Sequence, residues 1–199
     1  MKPALIIVDM QNDAVHKDGY HGEDAKKGIP IDLGFLMSPV PNIKRLAAAF
    51  RKAGRPVIHV VMMLRPDYSD ACFPYWKFER PIERGFHVEG TWGNQIIDEL
   101  TPQKGDYIVV KKGYGGFHNT ELEPMLRNLG VDTCVMTGVG TPVCVGTTVR
   151  EGVNRNFRMI VVSDGTAALS KASHEAELRL LPFVFADVKT SDEVLKMLK

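Results

Sequence analysis

Cys144 is the residue whose type and setting most favour chemistry. It follows a turn containing two glycines, residues 137–142, and precedes a segment with the pattern of a helix. A thiol at a helix N-terminus meets unpaired N–H groups and the positive end of the helix dipole, which favour the thiolate. Most free cysteines are buried and inert, however. A catalytic role for Cys144 therefore requires partner residues elsewhere in the chain.

Two charged residues at strand ends are the candidate partners. Asp9 ends the first aliphatic run of the chain, and Lys111 ends the third. Because the carboxyl ends of parallel strands lie along one edge of a sheet, we expect both to converge on Cys144. A carboxylate can accept the thiol proton, and an ammonium group can stabilise an oxyanion. Position alone leaves alternatives: Asp9 as a helix cap or solvated acid, and Lys111 or Lys112 as a surface charge.

The alternation of aliphatic runs and amphipathic segments predicts an α/β fold. It indicates a three-layer αβα domain over residues 1–199, with a mostly parallel, Rossmann-like sheet of six strands. The predicted strands are 4–8, 56–64, 105–111, 133–136, 158–164 and 187–190. The predicted helices are 42–54, 94–100, 119–129, 145–156, a helix starting near 173, and 191–198. No glycine-rich turn follows the first strand, which argues against a dinucleotide cofactor.

Composition excludes several classes of protein. Charged residues make up 25% of the chain and the formal net charge is +1, so we expect no nucleic-acid partner. No apolar run is long enough to span a membrane, and the chain opens without the pattern of a secretory leader. The 3 cysteines form no CxxC motif, which argues against a disulfide framework and a cysteine zinc site. We expect a cytoplasmic protein with no cofactor and no bound metal.

Two long connections are candidates for the walls of a site. Residues 15–41 are rich in glycine and proline, and a connection of this length usually acts as a lid or subunit contact. We interpret it as a site wall. Residues 65–92 are rich in aromatic and turn residues, a composition that suits either a pocket wall or a subunit interface. The sequence does not separate these two roles.

Five motifs, in this order, resemble the isochorismatase-like cysteine hydrolases, a family that includes nicotinamidases and N-carbamoylsarcosine, ureidoacrylate and biuret hydrolases. They are Ile7–Asp13, Gly90–Gly93, Val110–Phe117 followed by Thr120 and Leu122, Thr137–Arg150, and Val161–Asp164. The resemblance covers nearly the whole chain. It implies a catalytic set of Asp9, Lys111 and Cys144. The family spacing of lysine, tyrosine and phenylalanine selects Lys111 over Lys112.

The resemblance also implies a mechanism. The family places a cis peptide bond in the turn before the cysteine, which here falls at Val139–Gly140. This arrangement implies an oxyanion hole formed by the N–H groups of Gly140 and Cys144. The expected reaction is cleavage of a C–N bond in a small amide or ureido substrate through a thioester, with release of ammonia or an amine. The family also implies a homo-oligomer, either a dimer or a tetramer.

The chain departs from part of the family, and alternatives remain. Metal-binding nicotinamidases carry an acid and histidines just after the second strand, where this chain has Met62–Asp67. We therefore expect no metal. Arg65, Phe117 and His118 are candidate contacts for a polar or anionic substrate, although each could equally be a surface residue of a loop. The competing functions are a non-catalytic binding protein of this fold, a nicotinamidase, and a thiol redox sensor.

Overall fold

A six-stranded parallel sheet forms the centre of the molecule. The structure is a computed structural model that describes residues 1–77 and 84–198. Its strands are β1 (Pro3–Val8), β2 (Val57–Met62), β3 (Tyr107–Lys111), β4 (Thr133–Val139), β5 (Arg158–Ala167) and β6 (Asp187–Lys189). Their order is β3-β2-β1-β4-β5-β6, and every neighbouring pair is parallel. This is the doubly wound order of Rossmann-like folds, as predicted.

Helices cover both faces of the sheet, which confirms the three-layer αβα prediction. The helices are α1 (Asn12–Val15), α2 (Tyr20–Lys26), α3 (Leu33–Met37), α4 (Val40–Lys52), α5 (Leu122–Asn128), α6 (Gly146–Val153), α7 (Lys171–Val184) and α8 (Ser191–Met197). Alternate residues of β1 serve the two layers: Leu5 and Ile7 pack in the core with α4, whereas Ile6 and Val8 pack with α6. The helices in the described ranges are all too short or too polar to cross a bilayer.

The connection 15–41 is more ordered than the sequence predicted, because it contains α2 and α3. Several of the glycines and prolines that interrupt its hydrophobic pattern lie at helix ends. Gly19 precedes α2, Gly28 follows it with φ +87°, and Pro39 precedes α4. Asp32 caps α3 by accepting a hydrogen bond from a main-chain N–H. Helices this short carry too few apolar positions to be recognised by periodicity.

Two boundaries near the end of the chain were predicted wrongly. β5 runs to Ala167, so residues 165–167, predicted as a loop, pair with the end of β4. An irregularity in the register between Met136 and Gly138 allows this pairing to continue. Helix α7 begins at Lys171, because the Ser170 hydroxyl caps it. The predicted start near Ser173 lies two residues inside the helix.

The topology brings the candidate residues to one edge. The strand order reverses between β1 and β4, and Asp9 follows the first while Gly140 follows the second. Lys111 ends β3, in register with Met62 of β2. In doubly wound sheets, ligands bind in the crevice outside the carboxyl ends at such a reversal point.

Gly138 is required for the close approach of β4 to β1. Its φ is +101°, and a Cβ there would lie 2.1 Å from the carbonyl oxygen of Val8. We expect Gly138→Ala to lower the free energy of unfolding by at least about 3 kcal/mol, because the main chain must move to admit the methyl group. Urea unfolding followed by circular dichroism measures this loss.

Gly54→Ala is the matched control. Gly54 has φ +63° but no atom within 4 Å of the Cβ position. Its variant should lose only the cost of a left-handed main chain, about 1–2 kcal/mol. Equal losses in the two variants would contradict the close contact at Gly138.

Candidate active site

The side chains of Asp9, Lys111 and Cys144 meet at the carboxyl edge of the sheet. Lys111 Nζ lies 2.9 Å from Asp9 Oδ2 and 3.5 Å from Cys144 Sγ. Its ammonium group also donates to the carbonyl oxygen of Gly113 at 3.0 Å. Lys111 is completely buried, so these three acceptors replace its hydration. The structure thus brings together the three residues singled out from the sequence.

Each of these residues is positioned by main chain at the end of a strand. Asp9 adopts φ +50°, and its N–H donates to the carbonyl oxygen of Val60 at 2.9 Å. Lys111 lies two residues beyond Val109, so its side chain leaves β3 on the face that α6 covers. Cys144 lies in a π-helical turn, Thr141–Val145, that leads directly into α6. Local main-chain geometry at three strand ends therefore aims the side chains at one point.

The Cys144 thiol is protonated at neutral pH. Burial raises the pKa of Cys144, and the neighbouring Asp9 carboxylate raises it further, while Lys111 acts in the opposite direction. The expectation that the turn favours the thiolate was therefore wrong for the resting protein. The physical reason is that the thiol is buried and lies beside the Asp9 carboxylate, and together these outweigh the effect of Lys111. A reaction at this thiol requires a base.

Asp9 has an unused acceptor for that proton. Its Oδ2 pairs with Lys111, whereas Oδ1 is buried and has no hydrogen-bond partner in the part of the chain that the structure describes. Burial alone would lower the pKa of Lys111, but the carboxylate of Asp9 and the sulfur of Cys144 raise it above its ordinary value. Lys111 therefore remains a cation beside both groups.

A cavity of about 220 Å³ lies against this cluster. Its walls are mostly apolar and come from strand ends and from the two long connections. The lining residues are Asp9, Ala14, His21, Leu36, Met62, Phe86, His87, Tyr114, Val139, Gly140, Val143, Cys144 and Leu169. Sites for drug-sized ligands usually occupy roughly 300–1,000 Å³, so this cavity suits a smaller molecule.

Gly140 and Cys144, the pair expected to form the oxyanion hole, both line the cavity. The Val139–Gly140 peptide bond is cis, as the family resemblance implied. The space beside Gly140 is open, with no atom within 4 Å of the Cβ position. A carbonyl oxygen in the cavity can therefore approach the main chain of this turn.

The three expected substrate contacts do not reach the cavity. Arg65 lies on the surface, 3.7 Å from Asp67. His118 is exposed, and Phe117 packs in the core against Phe157. All three lie outside the lining of this cavity, so a role for them in substrate binding stays a prediction.

Four aromatic side chains of the lining were not identified from the sequence: His21, Phe86, His87 and Tyr114. His21 belongs to the connection 15–41, which does form part of the wall, as predicted. Phe86 and His87 belong to residues 65–92, so that connection also contributes to the wall. The aromatic composition of 65–92 was the available signal, but it did not indicate which side chains point inwards.

The polar residues that follow Asp9 hold the cavity loops in place. Gln11 is fully buried; its amide donates to the carbonyl oxygens of Met62 at 2.8 Å and Asn94 at 2.7 Å. Its carbonyl oxygen accepts the N–H of Met62 at 2.9 Å. Asp13 accepts the N–H of His87 at 2.8 Å. These contacts tie the segment after β1 to the segment that carries His87.

The other cysteines lie outside the cavity lining. Cys72 is exposed, whereas Cys134 is buried in β4, where burial raises its pKa to about 12. Within residues 1–77 and 84–198, no group of three or more histidine, cysteine, aspartate and glutamate side chains is arranged to hold a metal ion.

Residues 3–193 match the isochorismatase domain. The chain belongs to the isochorismatase-like cysteine hydrolase family. Among curated relatives it is 37% identical to the ureidoacrylate amidohydrolase RutB of Methylorubrum extorquens AM1, over 91% of this chain and 76% of that protein. It is 36% identical to RutB of Pseudomonas syringae pv. syringae B728a, over 83% of this chain and 72% of that protein.

Solved structures of the family have the same fold. A cysteine hydrolase from Pseudomonas syringae pv. phaseolicola 1448A aligns with a TM-score of 0.87 and 30% identity, over 99% of this chain and 92% of that chain. The N-carbamoylsarcosine amidase of Thermoplasma acidophilum aligns with a TM-score of 0.74 and 32% identity, over 96% and 98%. The α/β fold and the family expected from the sequence are confirmed.

Buried neutral histidines should make the protein sensitive to acid. Burial is the main cause that lowers the pKa values of four histidines. They are His21, His59, His87 and His174. As the pH falls below about 6.5, the unfolded chain binds protons that the folded chain excludes. The free energy of unfolding should therefore decrease from pH 6.5 to pH 5, by up to about 1.4 kcal/mol per pH unit for each histidine.

His87→Asn tests one of these contributions. The variant should show a slope shallower by up to one proton over the same pH range, measured by urea unfolding at each pH. An unchanged slope would show that His87 is protonated in the folded protein.

Proposed function

We propose that this protein is a cysteine-dependent amidohydrolase that cleaves a C–N bond of a small amide or ureido compound. The contact of Lys111 with both Asp9 and Cys144, beside a small cavity, is the observation that carries the proposal. The cluster supplies a nucleophile, a base and a cation. The names of the relatives, ureidoacrylate amidohydrolase and N-carbamoylsarcosine amidase, support this class of reaction.

The first step is proton transfer from Cys144 to Asp9. Since burial keeps the thiol protonated, the free Oδ1 of Asp9 takes the proton as the sulfur attacks the substrate carbonyl carbon. Lys111 stays positively charged and stabilises the charge that develops on the sulfur. General base catalysis of this kind contributes about 10²–10⁴-fold to the rate.

The second step forms a thioester. Attack converts the carbonyl oxygen to an oxyanion, which accepts hydrogen bonds from the N–H groups of Gly140 and Cys144. The C–N bond then breaks, and the proton held by Asp9 passes to the departing nitrogen, which leaves as ammonia or an amine. Removing one such oxyanion donor typically costs about 10²–10³-fold in kcat.

The third step releases the product. Water attacks the thioester carbonyl and gives a proton to Asp9, a second oxyanion forms in the same position, and the C–S bond breaks. Asp9 returns the proton to Cys144, which restores the thiol.

The cytoplasmic location and the dimer or tetramer expected from the sequence belong to this proposal, and light scattering during size-exclusion chromatography measures the assembly.

A substrate screen tests the activity. We expect ammonia release from at least one compound in a panel of N-carbamoyl amino acids, biuret, ureidoacrylate and nicotinamide. Cys144→Ala should lower kcat/KM by at least about 10³-fold, because no nucleophile remains. Cys72→Ala is the control and should keep full activity. Tight binding of a panel compound without ammonia release would instead favour a binding protein of this fold.

Asp9→Asn tests both the proposed role of Asp9 as a base and the effect of its charge on Cys144. The variant keeps the size of the side chain but cannot accept the thiol proton, so kcat should fall at least about 10²-fold. Removing the carboxylate charge should also lower the pKa of Cys144, because Lys111 then stabilises the thiolate. The rate of alkylation by iodoacetamide against pH, read at Cys144 by mass spectrometry, should shift to lower pH.

Asp98→Asn, at an exposed position, is the control for this experiment. It should change neither kcat nor the alkylation profile. An alkylation profile that moves to higher pH in Asp9→Asn would contradict the proposed charge arrangement.

A further inference from the structure

His87 has one buried ring nitrogen with no hydrogen-bond partner among the described residues. The residue lines the cavity and is only 2% exposed. Its Nδ1 is buried and has no hydrogen-bond partner among residues 1–77 and 84–198. Leaving a buried polar atom unpaired costs about 1–3 kcal/mol, so each case requires an explanation.

The main chain at His87 is held in a strained conformation. Its φ is +54°, in the left-handed region that residues with a Cβ rarely adopt. Three hydrogen bonds hold it there: its N–H donates to Asp13 at 2.8 Å, and its carbonyl oxygen accepts from Leu64 N–H at 2.9 Å and from the Asn94 amide at 3.1 Å. Such strain concentrates at functional sites, where the surrounding structure enforces it.

The imidazole of His87 is neutral. Burial lowers its pKa well below the ordinary value, and the positive charge of Lys111 and the nearby His21 lower it further. A neutral imidazole has one nitrogen that donates a hydrogen bond and one that accepts, whichever tautomer is present. His87 therefore presents an acceptor close to the catalytic cluster.

The other buried histidines are better explained by the protein. His21 Nδ1 donates to the carbonyl oxygen of Ala14 at 3.0 Å. His59, which also has an unpartnered nitrogen, lies 3.6 Å from a carboxylate oxygen of Asp106. In the part of the chain that the structure describes, His87 combines an unpartnered Nδ1 with a position on the wall of the cavity.

We propose that His87 contacts the substrate and accepts a hydrogen bond from an N–H group attached to the reacting carbonyl. The inference rests on the proposed function and narrows its substrate class to amides and ureido compounds that carry such an N–H group. A compound of the same shape without it leaves the His87 acceptor unpaired. Losing one hydrogen bond between uncharged groups weakens binding about five- to tenfold.

Binding of two isosteric probes tests this contact without turnover. Ethylurea has N–H groups on both sides of its carbonyl, whereas ethyl acetate has none. Dissociation constants for both are measured by ligand-observed NMR on the full chain carrying Cys144→Ala. Adding His87→Leu should weaken ethylurea binding about five- to tenfold and change ethyl acetate binding less than twofold.

Two further variants serve as controls. His87→Asn keeps an acceptor and suits the left-handed main chain, so it should retain ethylurea binding within about threefold. His16→Leu, outside the cavity lining, should leave both constants unchanged. An equal loss for both probes in His87→Leu, or no loss for ethylurea, would overturn the contact.

A direct measurement covers the case in which His87→Leu does not fold. The ¹⁵N signals of the His87 ring, recorded on Cys144→Ala, should shift when ethylurea is added and remain in place when ethyl acetate is added. Identical responses to the two probes would again overturn the contact. Because these measurements need no turnover, failure of the ammonia screen would reject the hydrolase and leave the His87 result intact.

Discussion

The buried ion pair between Lys111 and Asp9 is the interaction on which the site depends. Enclosing an ammonium group costs several kcal/mol unless it is paired and fully hydrogen-bonded, and Lys111 meets this condition with a carboxylate, a carbonyl oxygen and the Cys144 sulfur. The ends of β1 and β3 must therefore be held at a fixed separation. The pair also helps to explain why the Cys144 thiol stays protonated. Because Asp9 offsets the charge of Lys111, the ammonium group does not overcome the rise in the pKa of Cys144 that burial causes.

The frame that maintains this geometry extends well beyond the three residues. Gln11 and Asp13 follow Asp9 directly and bind main chain of β2 and of the segment that carries His87. Both Asp9 and His87 have left-handed main-chain conformations, which the surrounding hydrogen bonds enforce. One short motif thus contains both Asp9, the proposed base, and the polar residues that support the cavity wall.

Strand ends and loops contribute different parts of the site. The proposed catalytic groups lie at strand ends, whose mutual distances a parallel sheet fixes, whereas much of the cavity wall comes from the connections 15–41 and 65–92. Two of the relatives, a ureidoacrylate amidohydrolase and an N-carbamoylsarcosine amidase, are named for different substrates. In the proposed function, the strand ends and the turn before Cys144 carry out the reaction, and the loops select the substrate.

The sequence by itself determined the sheet, the family and the three converging residues, because each of these leaves a local mark: aliphatic runs that end in Asp9 or Lys111, and motif spacing around Cys144. It did not indicate His87, and it directed attention to Arg65 and Phe117, which the structure places elsewhere. The direction of a loop side chain depends on hydrogen bonds between residues far apart in sequence, such as Asp13 and His87, which are 74 positions apart. Only the tertiary structure decided these contacts and the protonation of the thiol, since both depend on distances between segments that are remote in sequence.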